Sequence, residues 1–559
     1  LQYPHFLSHI SGNIRRFAHN SNYSFSTNPK MKNTIITKSL LCLFALGMTC
    51  NAVYGKNNDA LTGDGTLRFY RLAIPVSNSA YEEDLGGDYK NVVAFWKECE
   101  AFVNKMFVPL GLCFDVVVDE RLVMHQVTPA FDKESYELPN IGYGTELINA
   151  AIGASAYDVG MWVTHRDPFA ENSGLSALEG AYSPNVKGNG YAKTDKWVVA
   201  HELGHMFGAT HTPMGEGSLM DTDGEFFSYP SIYTIRNRIQ NTSAYANVAV
   251  TNNVPQFDVE KMQRTYRIPQ GACLSIPIYA TDTDHHTLMF TAFGCHSANI
   301  NQYMGDNGLL PDFPSFAPQG NNVINYTPQY TADVYYDDFF YSVEGTNIHE
   351  KAPGTYHLSI LACDIPSTDY SFETLQASPF FSTYALWETT VDIVSGEPFK
   401  ATLVPSKANY TAGEEVTLKW GVNPNYFTEN SRLRISISND YGKTFTHVLT
   451  DNVRALDGAC KLRLPNFNIG KVEVDFSTEQ RSMNGGIIKI EEIGGVAFTL
   501  TSLDPMDNQA FTITGGTNSI TMPSHQQSKD VDIYDLSGRR IRNAEKGISI
   551  INGKKVVGK

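Results

Sequence analysis

The sequence predicts a multidomain chain: an α/β module first, two β-sandwich domains after it, and a small β unit at the end. Three observations carry this prediction. The 559 residues exceed what one core organises, since compact domains hold roughly 100–200 residues. Up to residue 245, strand-like and helix-like segments alternate, the pattern of an α/β or α+β module. From residue 255 onward the hydrophobic period switches to two, with turn residues between the runs. Composition agrees. With 42% hydrophobic and 18% charged residues, the chain is no disordered polyelectrolyte. The 12% aromatic content, with 29 Tyr, 44 Gly and 26 Pro, fits β-rich architecture with many turns. Lys and Arg total 43 against 59 Asp and Glu, a net charge of −16. That excludes a broad nucleic-acid surface, because phosphate binding is driven by cations.

Residues 1–30 are polar, rich in Ser, Asn and His, and patternless. The character changes at Met31: Lys32 and Lys38 precede the apolar run Leu40–Met48, and small residues follow. This is the pattern of a signal peptide over 31–55, cut near Ala52 or Gly55, with an apolar core too short to span a bilayer. Residues 1–30 are then an upstream extension, with a cytoplasmic pre-segment as the other reading. Met48-Thr49 before Cys50 makes a poor lipobox. No later stretch is apolar enough to cross a membrane, so no transmembrane segment is expected in the mature chain. An oxidising destination permits disulfides. Short loops allow Cys99 with Cys113 and Cys273 with Cys295; buried free thiols are the other reading, and Cys363 and Cys460 have no near partner.

The α/β module is placed at 56–248. Leu67–Val76 reads as a strand. Val92, Phe95, Trp96, Cys99, Phe102, Val103 and Met106 recur at helical spacing on one face. Pro109 and Gly111 stop that helix, and Cys113–Val118 is a strand. Leu147–Ile152 is a second helix ending at Gly153; Tyr157–Thr164 and Ser176–Tyr182 are further strands.

Two sandwiches of immunoglobulin-like type are expected at 249–397 and 398–505. Tyr356, Leu358 and Ile360 alternate with His357 and Ser359, and similar alternation runs through Val416–Val422 and Leu433–Ile437. Asn439-Asp440-Tyr441-Gly442 supplies a turn, and Pro398 and Pro405 flank the junction. Their role is either substrate or surface binding or that of a spacer. His285, His286, His296, His349 and His357 show no ligand spacing and read as surface or strand residues. Residues 506–559 form a Gly-, Ser-, Thr- and Asn-rich linker and a terminal β unit, in which Asn552-Gly553 fits a type I′ hairpin turn.

The chemistry is concentrated in His201-Glu202-Leu203-Gly204-His205-Met206-Phe207-Gly208-Ala209-Thr210-His211. Two histidines four apart on a helix share a face and can grip one ion. Gly208 can take positive φ and end the helix sharply, returning His211 toward the same ion. Three neutral imidazoles leave one corner of a tetrahedral Zn²⁺ open for water, the catalytic arrangement. Glu202, one residue round from His201, is displaced from the ligand direction and can serve as general base toward that water.

This HExxHxxGxxH pattern resembles that of the metzincin zinc metallopeptidases, and HELGHMFGATHT with YDVGMWVTH upstream is most similar to their adamalysin/reprolysin branch. The resemblance covers about residues 65–245. It implies one catalytic zinc on His201, His205 and His211, Glu202 as the catalytic base, and Ser218-Leu219-Met220-Asp221 as the Met-turn with Met220 beneath the site. It also implies that Ser176–Tyr182 is the edge strand to which a substrate peptide adds, and that Phe227–Ile239 is the last helix. The interval from His211 to Met220 is shorter than in adamalysins, and Asp221-Thr222 follows Met220 where the astacin and serralysin branches have a tyrosine ligand. Asp64, in Gly63-Asp64-Gly65, is either a latency ligand or part of a turn.

Ala280-Thr281-Asp282-Thr283-Asp284 resembles a segment of cadherin-like modules, which implies Ca²⁺; a plain polar turn is the other reading. The tail, YDLSGRR followed by KGISIINGKKVVGK, resembles the C-terminal sorting domain of the type IX secretion system of Bacteroidota. That resemblance implies a Gram-negative cell whose type IX secretion machinery releases the protein or attaches it to the cell surface. The expected function is a secreted zinc metalloendopeptidase acting on extracellular proteins or peptides. The rival is a cell-surface adhesin or binding protein whose zinc domain is vestigial.

Overall fold

In the computed structural model, the structure describes residues 61–517 apart from 134–136, 167–172, 213–217, 222–223, 242, 295–312, 314, 316, 327–347, 366–369, 476–479 and 503–508, together with the terminal strands given below. The upstream extension and the signal peptide lie outside the described residues, as does Cys295.

The first module is built on two sheets joined by a bridge between Val76 and Val163: β1 (Thr66–Ala73), β2 (Leu112–Val116), β3 (Val159–Gly160) and β7 (Ala246–Ala249) form one, and β4 (Trp162–Thr164), β5 (Gly174–Ser176) and β6 (Gly190–Lys193) the other. β1 pairs in parallel with β2 and β3, while β4 pairs in parallel with β6. The expected strand at 157–164 therefore serves two neighbours in succession, with Met161 between its halves. β5 lies antiparallel to β6 at the sheet edge. It stops at Ser176, earlier than expected. The reason is a reversal: Glu179 sits at φ 62° and donates its N–H to the carbonyl of His205, and Gly180–Tyr182 coil into a 3-10 turn.

Among the described residues, four helices flank these sheets: α1 (Tyr89–Phe107), α2 (Gly144–Ile152), α3 (Lys196–Met206) and α4 (Tyr229–Arg238). The Asp88 carboxylate caps α1 by accepting from the Lys90 N–H. The apolar stripe from Val92 to Met106 is buried as its period requires. Trp96 donates its indole N–H to the Ile74 carbonyl at 2.9 Å. Asn104 exchanges two hydrogen bonds with the Phe114 backbone, fixing α1 to β2. Cys99 and Cys113 carry free thiols. They belong to different cores: Cys99 packs on the helical side of the sheet and Cys113 on the other. The short-loop disulfide between them does not form.

Beyond the module, Thr265–Pro269, Thr287–Phe293, Gly354–Ile365 and Tyr384–Val394 make a four-stranded sheet. A six-stranded sheet contains Cys273–Pro277 and Val323–Tyr326 together with Arg432–Ser438, His447–Arg454, Ile487–Glu492 and Ala497–Leu500. Strands from both sides of residue 398 thus share one sheet, joined where Cys273 and Leu274 pair with Phe498 and Ala497. One apolar core follows, running from Ile268 and Leu358 through Phe399 and Trp420 to Ile435 and Phe498. The terminal unit contains Ile533–Tyr534, Arg540–Ile541, Gly547–Ile551 and Lys554–Gly558 in one antiparallel sheet. Ile551 stands opposite Lys554.

The period-two strand Gly354–Ile365 is buried on both faces over Leu358–Asp364. Leu358, Ile360 and Ala362 face the sandwich core, while Leu361 and Cys363 join the core of the first module with Phe293 and Tyr384. The short helix Phe372–Ala377 covers the far side of β1, where Phe372 meets Phe69 edge-on. At the same junction the buried Arg236 of α4 donates to the carbonyls of Leu61, Pro109 and Ser382. Its guanidinium also lies over the rings of Phe381 and Tyr384.

Replacing Arg236 with Leu would leave three buried carbonyls without their donor, each costing about 1–3 kcal/mol. Denaturant unfolding of the full chain should lose at least about 3 kcal/mol; a loss under about 1 kcal/mol would show that the first module does not depend on this junction.

Candidate metal centre

The site is assembled by α3 and the chain that leaves it. Asp195 caps α3 by accepting from the Trp197 N–H, with Asp195 itself extended at φ −150°. Val199, Ala200, Leu203 and Met206 bury one side of the helix, and Trp197 packs on Phe102 of α1. His201 and His205 are then left on the open side. At the helix end, Gly208 takes φ +95°. Its N–H goes to the His205 carbonyl and that of Ala209 to the Gly204 carbonyl. This pair of bonds is a Schellman reversal, a conformation that costs a residue with a Cβ roughly 1 kcal/mol or more. It turns the chain back over the helix and delivers His211.

The outcome is a cluster. His201 Nε2 and His205 Nε2 lie 3.2 Å and 3.1 Å from His211 Nε2. Their other ring nitrogens are held outside it: His201 Nδ1 is 2.6 Å from the Leu219 carbonyl, and His205 Nδ1 is 2.8 Å from the Ala209 carbonyl. Each Nδ1 must therefore carry the proton, so each Nε2 presents a lone pair inward. Burial lowers the His201 pKa to about 4, which keeps that ring neutral and ready to ligate. Three inward lone pairs at these separations fit a tetrahedral ion with one corner left over. His211 is exposed, so that corner opens to solvent.

Glu202 is buried against the edge strand β5. It is 4% exposed, its Oε2 has no hydrogen-bond partner, and burial raises its pKa to about 7. Two features that sequence reading did not single out hold it there. Ser176 of β5 donates its hydroxyl to the Glu202 carbonyl at 2.9 Å. Gly174, also on β5, leaves the room the side chain needs, since a Cβ there would stand 2.5 Å from Glu202 Oε1. No local pattern marks Gly174, because the pressure on it comes from another element.

Met220 is fully buried beneath α3. A Cβ on Gly204 would lie 2.5 Å from the Met220 sulfur, so the glycine inside the motif is what lets the thioether approach the helix. The turn is tied in place by hydrogen bonds from Thr212 N–H to the Met220 carbonyl and from Leu219 N–H to the Phe226 carbonyl. Leu219 also supplies the carbonyl that orients His201. Asp64 does not reach this site: Gly63 and Gly65 have positive φ and both Asp64 carboxylate oxygens accept from Arg68. It is a turn residue.

Residues 99–212 match the family model described as metallo-peptidase family M12B, reprolysin-like. The chain is similar to the metzincin zinc metallopeptidases. The matched span holds His201, Glu202, His205 and His211 and stops before Met220. Similarity to this reprolysin-like group supports a protease that uses zinc. No curated protein matches the chain. Among solved structures, one described as the structural basis for Dscam isoform specificity is 9% identical, covering 45% of this chain and 45% of that one, at a TM-score of 0.13. The chicken CNTN1 FN1–FN3 domains are 9% identical over 48% of this chain and 67% of theirs, at 0.16. The three N-terminal domains of the bacteriophage RB49 Hoc protein are 8% identical over 48% and 69%, at 0.12. This chain spans under half the length of the first of these, and such scores carry no weight for fold or function. Among the described residues, no helix is long and apolar enough to cross a membrane.

Substituting Gly204 with Ala should drive Cβ into Met220 and destabilise the full chain by about 1–3 kcal/mol. The double variant with Met220 also changed to Ala should recover part of that loss in thermal unfolding, and additive losses would refute the contact.

Proposed function

We propose that this chain is a secreted zinc metalloendopeptidase that hydrolyses peptide bonds in extracellular proteins. The observation that carries the reading is the convergence of three Nε2 lone pairs beside a buried carboxylate that has one oxygen uncommitted. A zinc ion held by His201, His205 and His211 supplies Lewis acidity, polarising a peptide carbonyl and making water nucleophilic near neutral pH. Everything else falls to the chain's own groups.

β5 lies at the sheet edge, so an extended substrate can add to its free backbone. Glu202 accepts the proton of the attacking water at its carboxylate and returns it to the departing amine nitrogen. Gly174 leaves room for that carboxylate, and Ser176 ties the Glu202 backbone to the edge strand. Met220 closes the floor with an apolar, polarisable group that competes for no ligand position.

Export completes the reading. The signal-like segment at 31–55 and the sorting-domain resemblance at the C-terminus together support passage through the type IX machinery to the cell surface or beyond. The four-stranded terminal sheet is compatible with a compact recognition unit. Removing residues 531–559 should leave the protein in the periplasm; normal appearance in the medium, followed by immunoblot, would remove this part of the proposal.

Purified full-length protein should cleave casein, and a zinc chelator should abolish the cleavage. Glu202→Gln should keep one zinc on the three histidines yet lose at least about 10³-fold in kcat. Unchanged turnover would refute the assigned base.

The pH profile supplies a second check. A base works only when ionised, and burial raises the Glu202 pKa from 4.5 to about 7, so activity is lost as pH falls through that range. A cation nearby favours the ionised form and pulls the midpoint down. The acid limb of kcat/KM should therefore bend between those two values with a one-proton slope. A limb that survives in Glu202→Gln at residual activity would assign the bend elsewhere.

A further inference from the structure

We infer that Leu175 selects the substrate: the segment cleaved is an extended strand with a β-branched or aromatic side chain at the one position that faces Leu175. The inference rests on the peptidase reading and adds to it the class of sequence that is cut. It starts from the hydrogen-bond phase of β5. Ala177 donates its N–H to the Asn189 carbonyl at 2.8 Å, and Lys193 donates its N–H to the Ser173 carbonyl at 2.7 Å. Between these bonds the register pairs Gly174 with Ala192, Leu175 with Tyr191 and Ser176 with Gly190. In an antiparallel ladder, residues that exchange bonds alternate with residues that do not. Ser173, Leu175 and Ala177 therefore turn their peptide groups toward β6, while Gly174 and Ser176 turn theirs to the open edge. Among the described residues, no backbone group bonds to Gly174 or Ser176 from that side.

A substrate strand laid antiparallel along this edge must bond to Gly174 and Ser176. Its residue opposite Leu175 then occupies a non-hydrogen-bonded pair. Such pairs hold their Cα atoms about 4.5 Å apart, closer than bonded pairs, and their side chains share one face of the sheet.

The structure fixes which face this is. Gly174 and Ser176 look to α3: a Cβ on Gly174 would meet Glu202, and the Ser176 hydroxyl bonds to the Glu202 carbonyl. Leu175 looks the other way. It shares its face with Tyr191 and Trp162, and the Trp162 indole N–H reaches the Gly144 carbonyl of α2. Tyr191 and Trp162 are wholly buried, but Leu175 is 42% exposed, the exposed member of its strand. An apolar substrate side chain opposite it covers that surface. A charged or small one leaves Leu175 in water and forfeits the cross-strand contact. The two flanking substrate side chains point to the α3 side, beside Glu202, so the selected residue lies close to the cleaved bond.

Cleavage of a randomised peptide library by the full-length zinc-loaded protein, read by mass spectrometry, tests this. Wild type should favour Val, Ile, Phe or Tyr over Ala, Gly or Asp at a single position near the cleaved bond, by about two- to fivefold in kcat/KM. Leu175→Lys should transfer the preference at that position to Asp and Glu, and Leu175→Glu to Lys and Arg, with the other positions unchanged. Binding asks the same question without turnover. In Glu202→Gln, a fluorescein-labelled peptide of the favoured sequence should bind about two- to fivefold more tightly than its Asp counterpart, and adding Leu175→Lys should reverse the order. An unaltered profile in the Leu175 variants, or a change spread over several positions, would overturn the inference while leaving the peptidase reading intact. A zinc-bound wild type that cleaves no peptide in the library would sink both.

Discussion

The structure of the metal centre depends on a single backbone reversal. An α-helix can place two imidazoles over one point, but it carries any third residue away along its axis at 1.5 Å per position. Only a sharp left-handed turn brings the chain back, and Gly208 at φ +95° provides it. The same reversal gives His205 its orienting partner, because the Ala209 carbonyl that holds its Nδ1 lies within the turn. The placement of His211 and the tautomer of His205 therefore follow from one torsion angle, while the Leu219 carbonyl fixes the tautomer of His201.

A second layer of constraint comes from side chains that are missing. Gly204 admits the Met220 sulfur under the helix, and Gly174 admits the Glu202 carboxylate beside it. In both places the backbone of one element must approach a functional group on another more closely than a Cβ permits. The carboxylate is consequently confined between helix and edge strand, where burial raises its proton affinity. Position and basicity have the same cause.

Much of this was legible in the residues. The three histidines and Glu202 could be placed together because helical periodicity and a glycine turn are local rules that fix relative directions. The buried stripe of α1 was readable for the same reason. What escaped was set by partners distant in the chain. Nothing near residue 176 announces that the strand ends there, because the reversal at Glu179 is anchored to the His205 carbonyl. Alternation in Gly354–Ile365 suggested one wet face, yet Leu361 and Cys363 are covered by another module's core.

The sheet that crosses residue 398 has a further consequence for how the chain is made. Cys273–Pro277 finds its partner in Ala497–Leu500, so the β region cannot close until nearly all of it has been synthesised. Loop-closure entropy penalises such distant pairing and slows its formation. During translation Cys273–Pro277 can pair with Val323–Tyr326 on one side, while its other ladder edge stays bare until Ala497–Leu500 arrives.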